Sequence, residues 1–103
     1  MIRHYLYVKS YFYYDMPKLK EGDLLKLVPD SNNEYDPEAV AIYKGRKKVG
    51  YVPEVFVESI AHALQAGRRL AAIVDEPYNS DNDCPPIVEV LDEEAMESLG
   101  LNY

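Results

Sequence analysis

Residues 39–53 read AVAIYKGRKKVGYVP. Two apolar runs, 39–42 and 49–52, flank the segment KGRK, where Gly45 can take the positive φ that a tight reversal needs, so the stretch predicts a β-hairpin. Pro53 follows at once. It cannot extend the ladder, but it can open a helix, where its missing N–H costs nothing. The next residues, PEVFVESIAHALQAG, place Val57, Ile60, Ala61 and Leu64 at the i, i+3, i+4, i+7 spacing of one apolar face. Gly67 supplies a left-handed terminus. A hairpin that runs straight into an amphipathic helix leaves few arrangements. The helix must pack its apolar stripe onto the sheet to which the hairpin belongs.

The rest of the chain supplies that sheet. HYLYVKSYFYY, 4–14, is aromatic and β-branched and predicts one long strand, twisted or bulged. On strand periodicity Tyr5, Tyr7, Tyr11 and Tyr13 share one face, and Leu6, Val8, Phe12 and Tyr14 share the other. A bulge at Ser10 would exchange the faces beyond it. DMPKLKEGD connects to a second strand, LLKLVP at 24–29, ended by Pro29. RRLAAIVDE predicts a fifth strand after the helix. PYNSDNDCPP is a turn-rich loop, and IVEVL at 87–91 predicts a sixth strand. In DEEAMESLG, Asp92 can cap a short helix whose acidic first turn suits the helix dipole, and Gly100 can end it. The order is mainly β with one or two helices. It predicts a small OB-like six-stranded barrel over residues 1–91, followed by an acidic C-terminal tail or short helix over 92–103.

Charge is distributed unevenly. Residues 1–69 hold all 11 Lys and Arg and 9 acidic groups, while residues 70–103 hold 9 acidic groups and no basic one. Such asymmetry marks a nucleic-acid partner or an interacting tail, or it serves dispersal alone. One reading has the acidic segment fold back on the basic hairpin as a phosphate mimic. No apolar run approaches the roughly 20 residues of a membrane span. The N-terminus lacks the pattern of a secretory signal, which points to a cytoplasmic chain. Cys84 is the single cysteine, with His4 and His62 far from it, so neither a disulfide nor a zinc site is expected. No nucleophile has a base nearby and no phosphate-binding G-x-x-x-x-G-K-[ST] occurs, so neither catalysis nor a cofactor is expected.

One loop carries more chemistry than a turn needs. DSNNEYDPEAVAIY, 30–43, sets Asn32 and Asn33 before Tyr35 and Asp36 at the mouth of a strand. A tyrosine face stacks on any base. A carboxylate accepts from a hydroxyl and repels a phosphate. Asparagine donates to phosphate oxygen without charge. A structural reading also stands, with Asp36 anchoring a turn before Pro37 and Tyr35 plugging a barrel end. Lys44, Arg46, Lys47 and Lys48 crowd the hairpin tip, either as a patch that follows a phosphate backbone or as a solvated turn.

The segment from SYFYYD at 10–15 to about Glu76, with its Asn, then Tyr-Asp, a small-apolar strand and a hairpin closed by GYVP, resembles the HIRAN domain family, and stand-alone bacterial and phage members in particular. The resemblance implies a modified OB-like barrel that binds the 3′ end of single-stranded DNA, without catalysis, in a DNA repair or replication-fork setting. By position it assigns Tyr13 and Tyr35 to stacking on the terminal base, Asp36 to its free hydroxyl, and Asn32 and Asn33 to phosphates; Lys44 and Arg46 of the basic hairpin tip, with Tyr51, complete the expected site. The chain departs from the DNA-binding members at Phe12, where they carry arginine, at Tyr51, where they carry histidine, and at Glu54, where they carry a basic residue. Ser10 and Glu34 also replace the usual glycine and proline. These changes remove or reverse phosphate contacts, which supply most non-specific affinity. The alternative is a protein-interaction module that kept the fold and lost its grip on DNA.

Overall fold

The computed structural model describes residues 1–101, apart from the side chain of Tyr13. Six antiparallel strands form one curled sheet in the order β1 (Arg3–Tyr7), β6 (Ile87–Asp92), β5 (Leu70–Glu76), β2 (Leu24–Pro29), β3 (Val40–Lys44), β4 (Lys47–Tyr51). Helix α1 (Glu54–Gln65) lies between β4 and β5, and α2 (Glu93–Ser98) follows β6. The curl arises in β2, which pairs with β5 through Leu24 and Leu25 and with β3 through Lys26, Leu27, Val28 and Pro29. Changing partners midway turns the strand from one half of the sheet into the other.

The expected hairpin, helix and last two strands are present. Gly45 sits at φ 60° between β3 and β4. Beyond α1, the Arg68 amide donates to the Ala63 carbonyl and the Gly67 amide to that of Leu64, with Gly67 at φ 79°. Those two bonds satisfy carbonyls that the last helical turn would leave open. Val57, Ile60 and Ala61 of α1 are buried in a core with Leu6, Val8, Leu25, Val40, Ile42, Val49, Val88 and Val90.

The first strand differs from expectation. It ends at Tyr7, and Ser10 takes left-handed geometry at φ 61° before a single 3-10 turn over Tyr11–Tyr13. Leu6 and Val8 face the core while Tyr5 and Tyr7 are exposed. Past Ser10 the pattern inverts: Phe12 is 68% exposed, and Tyr11 packs against the core. The exchange of faces falls at Ser10, where an irregularity was expected, but it comes with a 3-10 turn in place of a continued strand.

In the acidic C-terminal segment the expected short helix capped by Asp92 is present, but the fold-back onto the basic hairpin is not. Asp92, Glu93 and Glu94 do not turn to the hairpin. Asp92 is fully buried and caps α2 through the Ala95 amide at 2.9 Å, while its other oxygen accepts from the Ile2 amide at 2.7 Å and from Arg68. Glu93 accepts from the Arg69 amide, and Glu94 lies 3.3 Å from the N-terminal ammonium. Ala95 and Met96 pack on Ala71 and Leu91, so α2 covers the outer face of β5 and β6. No helix among the described residues is long and apolar enough to cross a membrane.

Candidate nucleic-acid interface

The chain just beyond β1, one edge of the curled sheet, meets the other edge, β4, at one point. The Lys9 amide donates to the Tyr51 carbonyl at 2.7 Å, and the Tyr51 amide donates back to Lys9 at 2.8 Å. Gly50 makes this approach feasible. A Cβ there would overlap the Lys9 carbonyl oxygen and a Val8 methyl. Beside this junction opens a cleft of about 570 Å³. Lys9, Ser10 and Tyr14 form one wall, and Tyr51, Val52, Glu54 and Val57 form another. Asn33, Tyr35, Asp36 and Ala39 close it from the loop between β2 and β3.

That loop is shaped by Asn33. Its Oδ1 accepts from the Tyr35 amide at 2.9 Å and the Asp36 amide at 3.0 Å, and its own amide N–H donates to the Asp30 carbonyl. The side-chain oxygen therefore does the work of a backbone turn and holds two successive residues outward. Asp36 then stabilises the following turn, with Oδ1 accepting from the Glu38 amide at 2.9 Å. Among the described residues, Asp36 Oδ2 accepts no hydrogen bond. Tyr35 is 90% exposed. A large aromatic held that far into solvent by a locked backbone has no packing role within the chain.

Polar contacts tie the loop to the hairpin. Lys48 Nζ donates to the Tyr51 hydroxyl at 3.0 Å, and that hydroxyl donates to Asp30 Oδ2 at 2.7 Å. Asn33 Nδ2 adds a longer contact to the same oxygen at 3.4 Å. Lys48 Nζ also lies within 6 Å of the ring centroids of Tyr14, Tyr43 and Tyr51. The rings favour the cation, and the hydroxyl bond adds to this. The Tyr51 bond, above all, raises the Lys48 pKa, and the same hydroxyl holds the Asp30 carboxyl below its ordinary value. Burial raises the pKa of Tyr14, and the neighbouring Tyr51 hydroxyl adds to the effect. A second anchor sits behind the 3-10 turn. The hydroxyls of Tyr11 and Tyr78 both donate to Asp83 Oδ1, at 2.9 and 2.8 Å, tying the β5–β6 loop to that turn.

The residues expected to form the site separate into groups. Asn33, Tyr35, Asp36 and Tyr51 line one cleft. Asn32 is exposed beside it, and Arg46 is exposed at the hairpin tip. Lys44 turns away, with its Nζ 2.5 Å from Asp23 Oδ2 and 3.2 Å from the Lys18 carbonyl oxygen. Tyr13 falls in the 3-10 turn, and its side chain lies outside the described structure. Sequence reasoning did not pick out Lys9 or Tyr14 on the cleft wall, nor Asp30 behind it, and it placed Lys48 in the basic hairpin tip rather than behind the cleft. Asp30 and Lys48 lie 18 residues apart on either side of β3. The usable signal was the hairpin register, which sets Lys48 opposite Tyr43.

The family model for the HIRAN domain matches residues 3–91. The chain belongs to the HIRAN domain family. Its fold is similar to that in the crystal structure of the HIRAN domain of human HLTF, with a TM-score of 0.75 and 16% identity over 95% of this chain and 83% of that one. It is also similar to a protein from Lactobacillus plantarum, with a TM-score of 0.72 and 21% identity over 89% of this chain and 96% of that one. No curated protein sequence gives a significant match. Within this HIRAN domain the GYVP signature has a physical reading: Gly50 admits the Lys9 backbone, Tyr51 bonds it and walls the cleft, and Pro53 starts α1.

Proposed function

We propose that this HIRAN domain is a non-catalytic module that takes the 3′-hydroxyl end of a single DNA strand into the cleft, in a DNA repair or replication-fork setting. The supporting observation is the pairing on one locked loop of an outward tyrosine, Tyr35, with a carboxylate whose Oδ2 is unpartnered among the described residues, Asp36. Tyr35 stacks on the terminal base, an interaction of about 1–3 kcal/mol. Tyr13 supplies the second stacking face. Asp36 Oδ2 accepts a hydrogen bond from the 3′-hydroxyl and repels a 3′-phosphate. Asn33 positions both residues. Tyr51 braces the cleft. Asn32 and Arg46, which do not line the cleft, serve the phosphates further along the strand, whereas Lys44 is held by Asp23 and the Lys18 carbonyl and takes no part.

A second reading rests on the carboxylates around the site. Glu34, Glu38 and Glu54 are all exposed near the loop or the cleft wall, and they favour a protein partner over a polyanion. The discriminating experiment is fluorescence anisotropy with a labelled strand of about ten nucleotides, ending in either a 3′-hydroxyl or a 3′-phosphate, across a salt series. Binding that prefers the hydroxyl about tenfold or more, and loses that preference in Asp36→Asn, supports end recognition. The substitution keeps the acceptor for the Glu38 amide, so the loop persists. Failure to bind either strand at low salt would favour the protein-partner reading.

A further inference from the structure

Among the described residues that line the cleft, Lys9 carries the one cationic side chain. Its backbone is fixed by the paired bonds to Tyr51, and its side chain is 41% exposed. Its Nζ is directed to Glu54 Oε1, 3.1 Å away, across the cleft wall. Glu54 is 83% exposed and is the first residue of α1, where an acidic side chain suits the helix dipole. An exposed pair of this kind adds little to stability, because two mobile side chains must be held together in screened solvent. Little is therefore lost if Lys9 changes partner. The cleft also holds Tyr35 and Asp36, so a strand end seated there shares one cleft with Lys9.

We propose that Lys9 is the phosphate-binding cation of the cleft, and that Glu54 occupies it in the unbound domain as an internal substitute for the phosphate. This rests on the end-binding reading above. A phosphodiester and a carboxylate offer the same thing to an ammonium, namely anionic oxygen at hydrogen-bond distance. The entering phosphate displaces Glu54 and hands it back to solvent. The exchange sets a threshold. A strand that fills the cleft replaces the carboxylate, whereas a loose polyanion meets Glu54 and Asp36 and is turned away.

The test is a double-mutant cycle in strand binding, measured by anisotropy on the full chain at low salt. Glu54→Gln should tighten binding about fivefold, since Lys9 no longer has an internal partner. In the Lys9→Met background the same substitution should change binding by less than about twofold. Lys9→Met, made in the Glu54→Gln background, should also flatten the salt dependence by about 0.7 in log–log slope, the contribution of one single-strand phosphate contact. Glu58→Gln, an exposed position on the same helix outside the cleft, should change little. A gain from Glu54→Gln that survives loss of Lys9, or that Glu58→Gln matches, would show diffuse repulsion and overturn the proposal while leaving end binding intact. If no variant binds a strand, the end-binding reading fails, and inorganic phosphate decides for this one. A shift of the Lys9 ε-CH₂ NMR signal on phosphate addition in Glu54→Gln, larger than in the unaltered chain, supports the exchange. Equal or absent shifts overturn it.

Discussion

Asp36 and Asp92 are both aspartates that organise a turn next to a strand, and they stand in opposite conditions. Asp92 is fully buried and its bonding capacity is used: one oxygen caps α2, and the other takes the Ile2 amide and Arg68, with the N-terminal ammonium at 3.9 Å. Asp36, which lines the cleft, spends one oxygen on the Glu38 amide, and its other oxygen has no partner among the described residues. The same side chain is a staple where its oxygens are saturated and a candidate binding group where one is left open. The surroundings repeat the contrast. Around Asp92, the apolar residues Ala71, Leu91, Ala95 and Met96 pack between α2 and the sheet. Around Asp36, the loop holds Tyr35 away from the body of the domain.

Four substitutions would break or sharpen this comparison. Asp92→Ala should destabilise the fold most, by about 3 kcal/mol, because it strips partners from Arg68, the Ile2 amide and the start of α2. Denaturant unfolding measures it, and a loss within error would mean that the hub is not a staple. The pH dependence follows from the same group. Burial works against the ionised form of Asp92, but the Ala95 and Ile2 amides, Arg68 and the N-terminus outweigh it and hold the pKa below the ordinary 3.8. A lowered carboxyl pKa stabilises the native state above the unfolded value, and that stability is lost as pH falls through the native one. The acid limb below pH 3.8 should therefore flatten in Asp92→Ala.

Gly50→Ala should cost about 2 kcal/mol by overpacking against the Lys9 carbonyl and Val8, and should speed exchange of the Lys9 and Tyr51 amides. Tyr51→Phe should cost about 1 kcal/mol. It should also raise the Asp30 pKa in an NMR titration, since the Tyr51 hydroxyl is the main group holding it down. An unchanged Asp30 would show that the link between hairpin and loop carries no electrostatic weight. Asp36→Asn should change stability least, by under about 0.5 kcal/mol, because the turn acceptor is kept. A large loss there would make Asp36 a second staple and end the contrast with Asp92.

The hairpin, α1 with its glycine terminus, the last two strands and the Asp92 cap were all legible in the chain, because each depends on neighbours within a few residues. The GYVP signature was equally legible, since its glycine, tyrosine and proline act at one junction. The first strand was legible only in part: an exchange of faces at Ser10 was foreseeable, but its end at Tyr7 and the 3-10 turn were not. Ser10 has no side chain that demands left-handed geometry, and the Lys9–Tyr51 closure that accompanies it joins residues 42 apart. Lys9 therefore could not be assigned to the cleft, nor Lys44 to Asp23, from spacing alone. The fate of the acidic C-terminal segment was hidden for the same reason. Its partners, Ile2, Arg68 and the N-terminus, come together only when β1 pairs with β6.

By itself, then, the sequence determined which elements form and the loop that presents Tyr35 and Asp36, because hydrogen bonds and apolar periodicity of short range dictate both. The tertiary structure alone decided which charges meet: Lys9 with Glu54, Lys48 with Tyr51 and Asp30, Arg68 with Asp92. Charged side chains are indifferent to local backbone geometry, and their partners are set by how distant strands are brought side by side.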